Sequence, residues 1–191
     1  MLEQLNSIDQ KIFFFINNDL SNPFFDWLMP LMRNQYFWAP LYAFLIVFFI
    51  KEYKLKGLYL ILFLLVAFGI ADFTSASIIK QHFQRLRPCN DPALLGLVKL
   101  RIARCGSGFS FVSSHAANHF AIALFLIGTF YQRWKWVLPA ALAWAVIICF
   151  AQVYVGVHYP FDVTCGGLLG AFIGWGVSQI RKNILPLDGV N

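Results

Sequence analysis

Three short polar clusters interrupt a chain otherwise dominated by apolar residues: Lys80-x6-Arg87-Pro88, Ser113-Ser114-His115 and His158-x3-Asp162. Asp162 lies four residues after His158, with Pro160 between them. If Pro160 starts a helix, the carboxylate and the imidazole approach across its first turn. A carboxylate holding one ring nitrogen fixes the tautomer and leaves the other nitrogen as a nucleophile. Ser113-Ser114-His115 precedes an apolar run. The free backbone N–H groups of Ser114 and His115, at the start of a helix, form a ready anion cradle. Charged groups at the ends of membrane helices are often only anchors reaching for water. A cation pair, a Ser–His pair and a His–Asp pair on one membrane face together argue for a site.

The elements that must position these groups are set by composition. Of 191 residues, 59% are hydrophobic, 18% aromatic and 13% charged. A soluble domain carries about 25% charged residues, so the fold class is an all-α, polytopic transmembrane bundle forming one domain over residues 1–191. About five spans are expected, near 37–50, 57–79, 115–131, 136–153 and 161–180, each close to the ~20 residues that cross a hydrocarbon core of ~30 Å. The runs are apolar all round, which suits helices rather than the alternating strands of a barrel. The N-terminal segment 1–34 contains two short aromatic runs, 8–17 and 23–32, broken by Asn, Asp and Pro. It reads as interfacial helices, with a sixth span as the alternative. A long polar connection, 80–114, separates the second and third spans, and loops of that length tend to be functional.

This span order brings the three clusters to one face: the first closes the second span, the next opens the third and the last opens the fifth. The net charge of +6 resides largely in connectors, which excludes nucleic acid as the natural partner and sets orientation instead. Lys51, Lys54, Lys56, Arg133, Lys135, Arg181 and Lys182 fall on one side, opposed by Glu52 and the distal Asp188. That side is expected inside, and the 80–114 loop outside, in the periplasm of a bacterial cell. If that compartment is oxidising, Cys89 and Cys105 in the loop can form a disulfide. Cys149 and Cys165 read as small apolar packers.

In order and spacing, the clusters resemble the tripartite signature of the type 2 phosphatidic acid phosphatase (PAP2) superfamily, K-x6-R-P, P-S-G-H and S-R-x5-H-x3-D. Here the motifs read Lys80-x6-Arg87-Pro88, Val112-Ser113-Ser114-His115 and Ala151-Gln152-x5-His158-x3-Asp162. The resemblance implies a membrane phosphatase acting on a lipid phosphate, with no cofactor or metal. It implies that His158 attacks phosphorus while Asp162 orients it. His115 would protonate the departing oxygen and later activate water. Lys80, Arg87 and Ser113 would bind the phosphoryl oxygens, Arg87 in two-pronged fashion. Undecaprenyl pyrophosphate, phosphatidic acid, phosphatidylglycerophosphate and lipid A phosphate all suit such a site.

The departures are specific. Gln152 stands where the signature has a phosphate-binding arginine; it can donate a hydrogen bond to phosphate but brings no charge, so one expected cation is missing, with Arg85 and Arg104 as candidates to replace it. Ala151 lacks the motif hydroxyl, and Ser114 lacks the freedom of the motif glycine. Competing readings are a catalytically impaired relative, a transporter or channel lined by Asp72, Lys80 and the histidines, and a metallohydrolase. For the last, His115 and His119 have ligand spacing, but Ala116 stands where HExxH needs glutamate. Oligomeric state is open.

Overall fold

The computed structural model describes residues 2–187; Asp188, counted above with the tail, lies outside them. The described residues form helices and no strand. Helices α1 (Leu2–Phe14) and α2 (Pro23–Met32) are joined through a π-helical turn, Phe15–Asp19. A 3-10 turn, Gln35–Trp38, leads into α3 (Ala39–Tyr53). Then come α4 (Leu55–Phe73), a second π-helical turn (Thr74–Ile79) and α5 (Lys80–Phe83) in one continuous rod. The bundle closes with α6 (Ser114–Phe130), α7 (Val137–Tyr154) and α8 (Pro160–Ile184). Four of these stretches are long and apolar enough to cross a membrane. The remaining expected span, 115–131, corresponds to α6, an apolar helix of 17 residues, which is packed on several sides by its neighbours.

Local chemistry explains the boundaries. Asn22 caps α2 by accepting from Phe25 N at 2.9 Å, and Pro23 follows as the first helical residue. Lys54, with φ +51°, turns α3 into α4. Gly57 then packs so tightly that a Cβ would lie 2.0 Å from the Phe49 carbonyl oxygen. At its far end the α4–α5 rod stops at Gln84, which is left-handed at φ +49°. Lys80 therefore stands on the last turn, at the membrane edge. The outer surfaces of α3, α4 and α8 expose Phe44, Val47, Leu62, Leu65, Phe172 and Trp175, the apolar belt expected against lipid.

The tightest contact in the bundle is between α6 and α8. A Cβ at Gly166, Gly170 or Gly174 would fall 2.5, 2.0 or 2.1 Å from the carbonyl oxygens of Ser113, Ala117 and Ala121 respectively. These glycines recur every four residues along one face of α8 and meet the alanines of α6, so backbone packs on backbone. Close helix packing of this kind substitutes for hydrophobic driving force inside a bilayer. At the top of the seam Ser113 N donates to the Asp162 carbonyl oxygen at 3.0 Å, joining the start of α6 to the first turn of α8.

The N-terminal helices take part in the site face. Asn17, fully buried, accepts from Lys99 N at 2.9 Å and donates to the carbonyls of Lys99 and Tyr154 at 3.0 and 2.8 Å. Arg101 pairs with Asp26 and donates to the Tyr154 carbonyl at 2.9 Å. The 80–114 loop is thus clamped between the N-terminal segment and the end of α7. Replacing Gly170 by valine would push the seam apart; the expected cost is about 1–3 kcal/mol or more, read as a lower midpoint of thermal unfolding in detergent. An unchanged midpoint would show that α6 and α8 are not held this way.

Candidate active site

His158 lies in the connector 155–159 between α7 and α8 and is 1% exposed. Its Nδ1 is 3.3 Å from Ser110 Oγ and 3.6 Å from Asp162 Oδ2, while Ser110 Oγ donates to Asp162 Oδ2 at 2.5 Å. The carboxylate can only accept, so the hydroxyl must spend its proton on Asp162. Its lone pair is then left for an Nδ1–H of His158. That assignment leaves Nε2 unprotonated, and it faces Arg87 Nη1 at 3.2 Å, a group that can only donate. Burial pushes the His158 imidazole down to about 4; Asp162 pulls the other way, while Arg87 and Lys80 push further down.

Asp162 is fully buried and fully engaged. Oδ1 accepts from Arg85 Nη1 at 2.8 Å, and Oδ2 accepts from Tyr159 N at 2.9 Å as well as from Ser110. Tyr159 N belongs to the capping box of α8, so the residue beside His158 also closes the helix. Arg85 reaches on to Asp9 at 2.7 Å and lies over the Tyr159 ring at 4.0 Å from its centre. Asp9 accepts from Phe161 N at 2.8 Å. A chain Asp9–Arg85–Asp162 therefore links α1 to the imidazole. The sequence expectation that Arg85 or Arg104 makes up for the cation missing at Gln152 is corrected here: Arg85 is committed to two carboxylates, and Arg104 is exposed on the loop.

Arg87 is buried, with Nε donating to the Gly108 carbonyl, Nη2 to Ser107 and Nη1 to Val157, at 3.2, 3.3 and 3.3 Å. A two-pronged grip on phosphate requires some of these bonds to be exchanged. Lys80 is half-buried and electrostatically coupled to Arg87, Asp162 and His158. Ser113 is the N-cap of α6 and accepts from Ala116 N at 3.4 Å. The N–H groups of Ser114 and His115, in the helix's first turn, have no carbonyl one turn earlier to receive them. Ser114 Oγ is buried without a hydrogen-bond partner among the described residues. Gln152 is fully buried; its Oε1 accepts from Arg33 Nε at 3.4 Å and its carbonyl accepts from Val157 N at 3.3 Å. Cys89 and Cys105 are bridged, with Cα atoms 5.9 Å apart.

His115 and Ser114 line the polar end of a cavity of about 570 Å³ between α3, α4 and α6. Its walls are Leu45, Ile46, Phe49, Leu64, Leu65 and Phe68, and Asp72, Asn118 and His119 complete the polar end. Asn118 donates to Asp72 at 2.8 Å. His119 is held by the His115 carbonyl at 2.7 Å, by the Tyr42 hydroxyl at 3.3 Å and by the Trp144 ring. The ring of His119, spaced like a metal ligand, thus has a polar neighbour at each nitrogen.

Ser110, Asp9 and Arg33 belong to this neighbourhood, and local spacing did not single them out. Ser110 sits in the irregular end of the loop, three residues before Ser113, and only the fold brings it to Asp162.

A buried imidazole held by a carboxylate, with a guanidinium at its other nitrogen and a largely apolar cavity that ends at His115, fits the phosphoryl-transfer class of membrane enzyme. The PAP2 superfamily model matches residues 56–185, and the chain belongs to that superfamily: it is an integral membrane lipid phosphatase. Among curated proteins, a lipid A 4'-phosphatase of Bacteroides thetaiotaomicron is 33% identical over 177 residues, covering 92% of this chain and 77% of the relative. An undecaprenyl-diphosphatase of Sulfolobus acidocaldarius is 31% identical over 153 residues, covering 78% and 66%. Among solved structures, the transmembrane PAP2-type phosphatidylglycerolphosphate phosphatase of Bacillus subtilis shares the fold, with a TM-score of 0.72 at 24% identity over 96% of this chain and 89% of that one. Replacing Ser110 by alanine removes the hydroxyl between imidazole and carboxylate; phosphatase turnover is expected to fall about 10- to 100-fold in a folded protein. Wild-type turnover would show that the direct His158–Asp162 approach suffices.

Proposed function

We propose that the protein removes phosphate from a membrane lipid through a phosphohistidine on His158, without a metal. The observation that carries this reading is the pairing at the imidazole: Nδ1 on Ser110 and Asp162, Nε2 facing a guanidinium. In the first half-reaction the Nε2 lone pair forms a bond to phosphorus as the bond from phosphorus to the lipid oxygen breaks. His115, carrying a proton in the complex with the anionic substrate, gives it to that oxygen. In the second, neutral His115 takes a proton from water as the water oxygen displaces Nε2 from phosphorus, releasing phosphate and restoring both imidazoles. Lys80, Arg87, Ser113 and the N–H groups of Ser114 and His115 stabilise the phosphoryl oxygens, and Asp162 stabilises positive charge on His158. Gln152 adds a neutral hydrogen-bond donor to these phosphate-binding groups.

The lipid chains occupy the cavity between α3, α4 and α6, with the head group at His115. The name of the relative that matches 92% of this chain favours a lipid A-type phosphate monoester; the undecaprenyl-diphosphatase supports a polyprenyl diphosphate as the second reading. The bridged cysteines support placing the 80–114 loop in an oxidising compartment, the periplasmic side of a bacterial inner membrane.

The test is phosphate release from a panel of lipid A, undecaprenyl diphosphate, phosphatidic acid and phosphatidylglycerophosphate, with EDTA present. His158→Ala should lose at least about a thousandfold in turnover, since the covalent route disappears. Activity abolished by the chelator would overturn the metal-free route, and a fully active His158→Ala protein would overturn the phosphohistidine. The pH profile is a separate check. A desolvated His158 stays neutral, and therefore nucleophilic, well below the ordinary imidazole value of about 6.5. Once the ionisation of the substrate is factored out, its acid limb in kcat/KM should lie below that value, toward 4. A limb at 6.5 or higher that belongs to His158 would contradict the buried neutral imidazole.

A further inference from the structure

Gln152 removes a cation from the motif that precedes His158, yet the space beside it is not left neutral. Arg33, at the C-terminal end of α2, reaches across to it. Because a guanidinium only donates, the side-chain oxygen of Gln152 must face Arg33 Nε, at 3.4 Å. The amide nitrogen is then turned the other way, and it is buried with no hydrogen-bond partner among the described residues. The remaining nitrogens of Arg33 likewise have no hydrogen bond or carboxylate among those residues.

The location follows from backbone contacts. Gln152 accepts from Val157 N at 3.3 Å, and the Val157 carbonyl accepts from Arg87 Nη1 at 3.3 Å. Arg87 thus binds the residue before His158 directly, and Arg33 is connected to the same residue through Gln152. Gln35 and Tyr36, two and three residues after Arg33, line the cavity that ends at His115, so the chain leaving α2 borders it. Partly buried cations with no balancing carboxylate are costly unless an anion arrives. The carboxylate nearest the imidazole, Asp162, is already paired with Arg85.

We infer that Arg33 is the third phosphate-binding cation of this enzyme, supplied from α2 in place of the arginine absent at position 152, with the Gln152 amide nitrogen donating to the same phosphoryl group. Arg33 contacts the substrate phosphate, whether ester or diphosphate, and Gln152 both positions the guanidinium and adds a neutral donor. Arg33 is near enough to Arg87 for the two charges to repel, which agrees with that placement. Burial also disfavours the charged form of Arg33 when no anion is bound. The inference rests on the phosphatase reading above but concerns a residue outside the three motifs.

The experiment compares wild type with Arg33→Gln, Arg33→Lys, Arg33→Gln/Gln152→Arg and His158→Ala, all in detergent, with thermal unfolding recorded for each. Two readouts are taken: kcat/KM for phosphate release from the best lipid of the panel, and inhibition by orthovanadate as a phosphate mimic. Arg33→Gln should lower kcat/KM roughly 10- to 100-fold and weaken vanadate inhibition in parallel, the loss of a charge-assisted hydrogen bond. Arg33→Lys should retain most of the vanadate affinity, and returning the charge at position 152 should recover at least about tenfold of the activity lost in Arg33→Gln. The inference is overturned if Arg33→Gln keeps wild-type kcat/KM, or loses activity with vanadate inhibition unchanged. It is also overturned if neither the lysine variant nor the transplanted arginine, when folded, restores anion binding. An inactive His158→Ala beside a normal Arg33→Gln would sink this inference alone, whereas an active His158→Ala would sink the mechanism on which it rests.

Discussion

Backbone-to-backbone contact between α6 and α8 is the constraint on which the site depends. Inside a bilayer the lipid tails are as apolar as leucine, so helices are held by close packing and by polar bonds, and small residues allow both. Gly166, Gly170 and Gly174 let α8 meet the carbonyls of α6 without intervening side chains. At the top of that seam Ser113 N reaches the Asp162 carbonyl. The first turn of α6, which carries His115 and two unspent N–H groups, is thereby fixed against the first turn of α8, which carries the carboxylate behind His158. The separation of two imidazoles, one in α6 and one in the connector just before α8, becomes a property of the helix packing.

Charge balance is the second organising rule. Asp162 is buried and would be costly alone, but Arg85, Ser110 and Tyr159 N together satisfy it. Arg85 is itself shared with Asp9, so the N-terminal helix is part of the electrostatic support of the nucleophile. On the other side of the imidazole the balance runs the opposite way: Lys80, Arg87 and Arg33 gather with no carboxylate of their own among the described residues. The protein holds one half of an ion cluster, and in the proposed function the phosphate completes it.

Much of this was legible in the chain. The span boundaries fell within a few residues of the helices, because long apolar runs and polar connectors are directly readable. The order of the motifs pointed to one face, and on it the structure brings His158 together with Asp162 and Arg87. The glycine spacing 166–170–174 was present in the sequence as well, and reading it would have identified the α6–α8 contact face. Other features were not legible because they arise from the fold. Ser110 lies in an irregular loop whose path depends on the clamp around Asn17 and Arg101. Asp9 and Arg85 are separated by two membrane spans, and nothing local pairs them. The replacement of the cation missing at Gln152 was sought among Arg85 and Arg104 because they are near in sequence to the motifs. Arg33 is distant in sequence, and the α2 terminus brings it there.

The Cys89–Cys105 bond closes a ring beginning two residues after Arg87 and ending two residues before Ser107, whose carbonyl Arg87 binds. The two arms that hold this guanidinium are thus the two ends of one covalent loop. Cross-linking over a separation of 16 residues removes about 3 kcal/mol of chain freedom from the open form in the loop-entropy picture. The position of the Arg87 guanidinium is therefore referred to the thiol–disulfide poise of the compartment the loop occupies. A chain still in a reducing environment lacks the tether that sets that guanidinium in register.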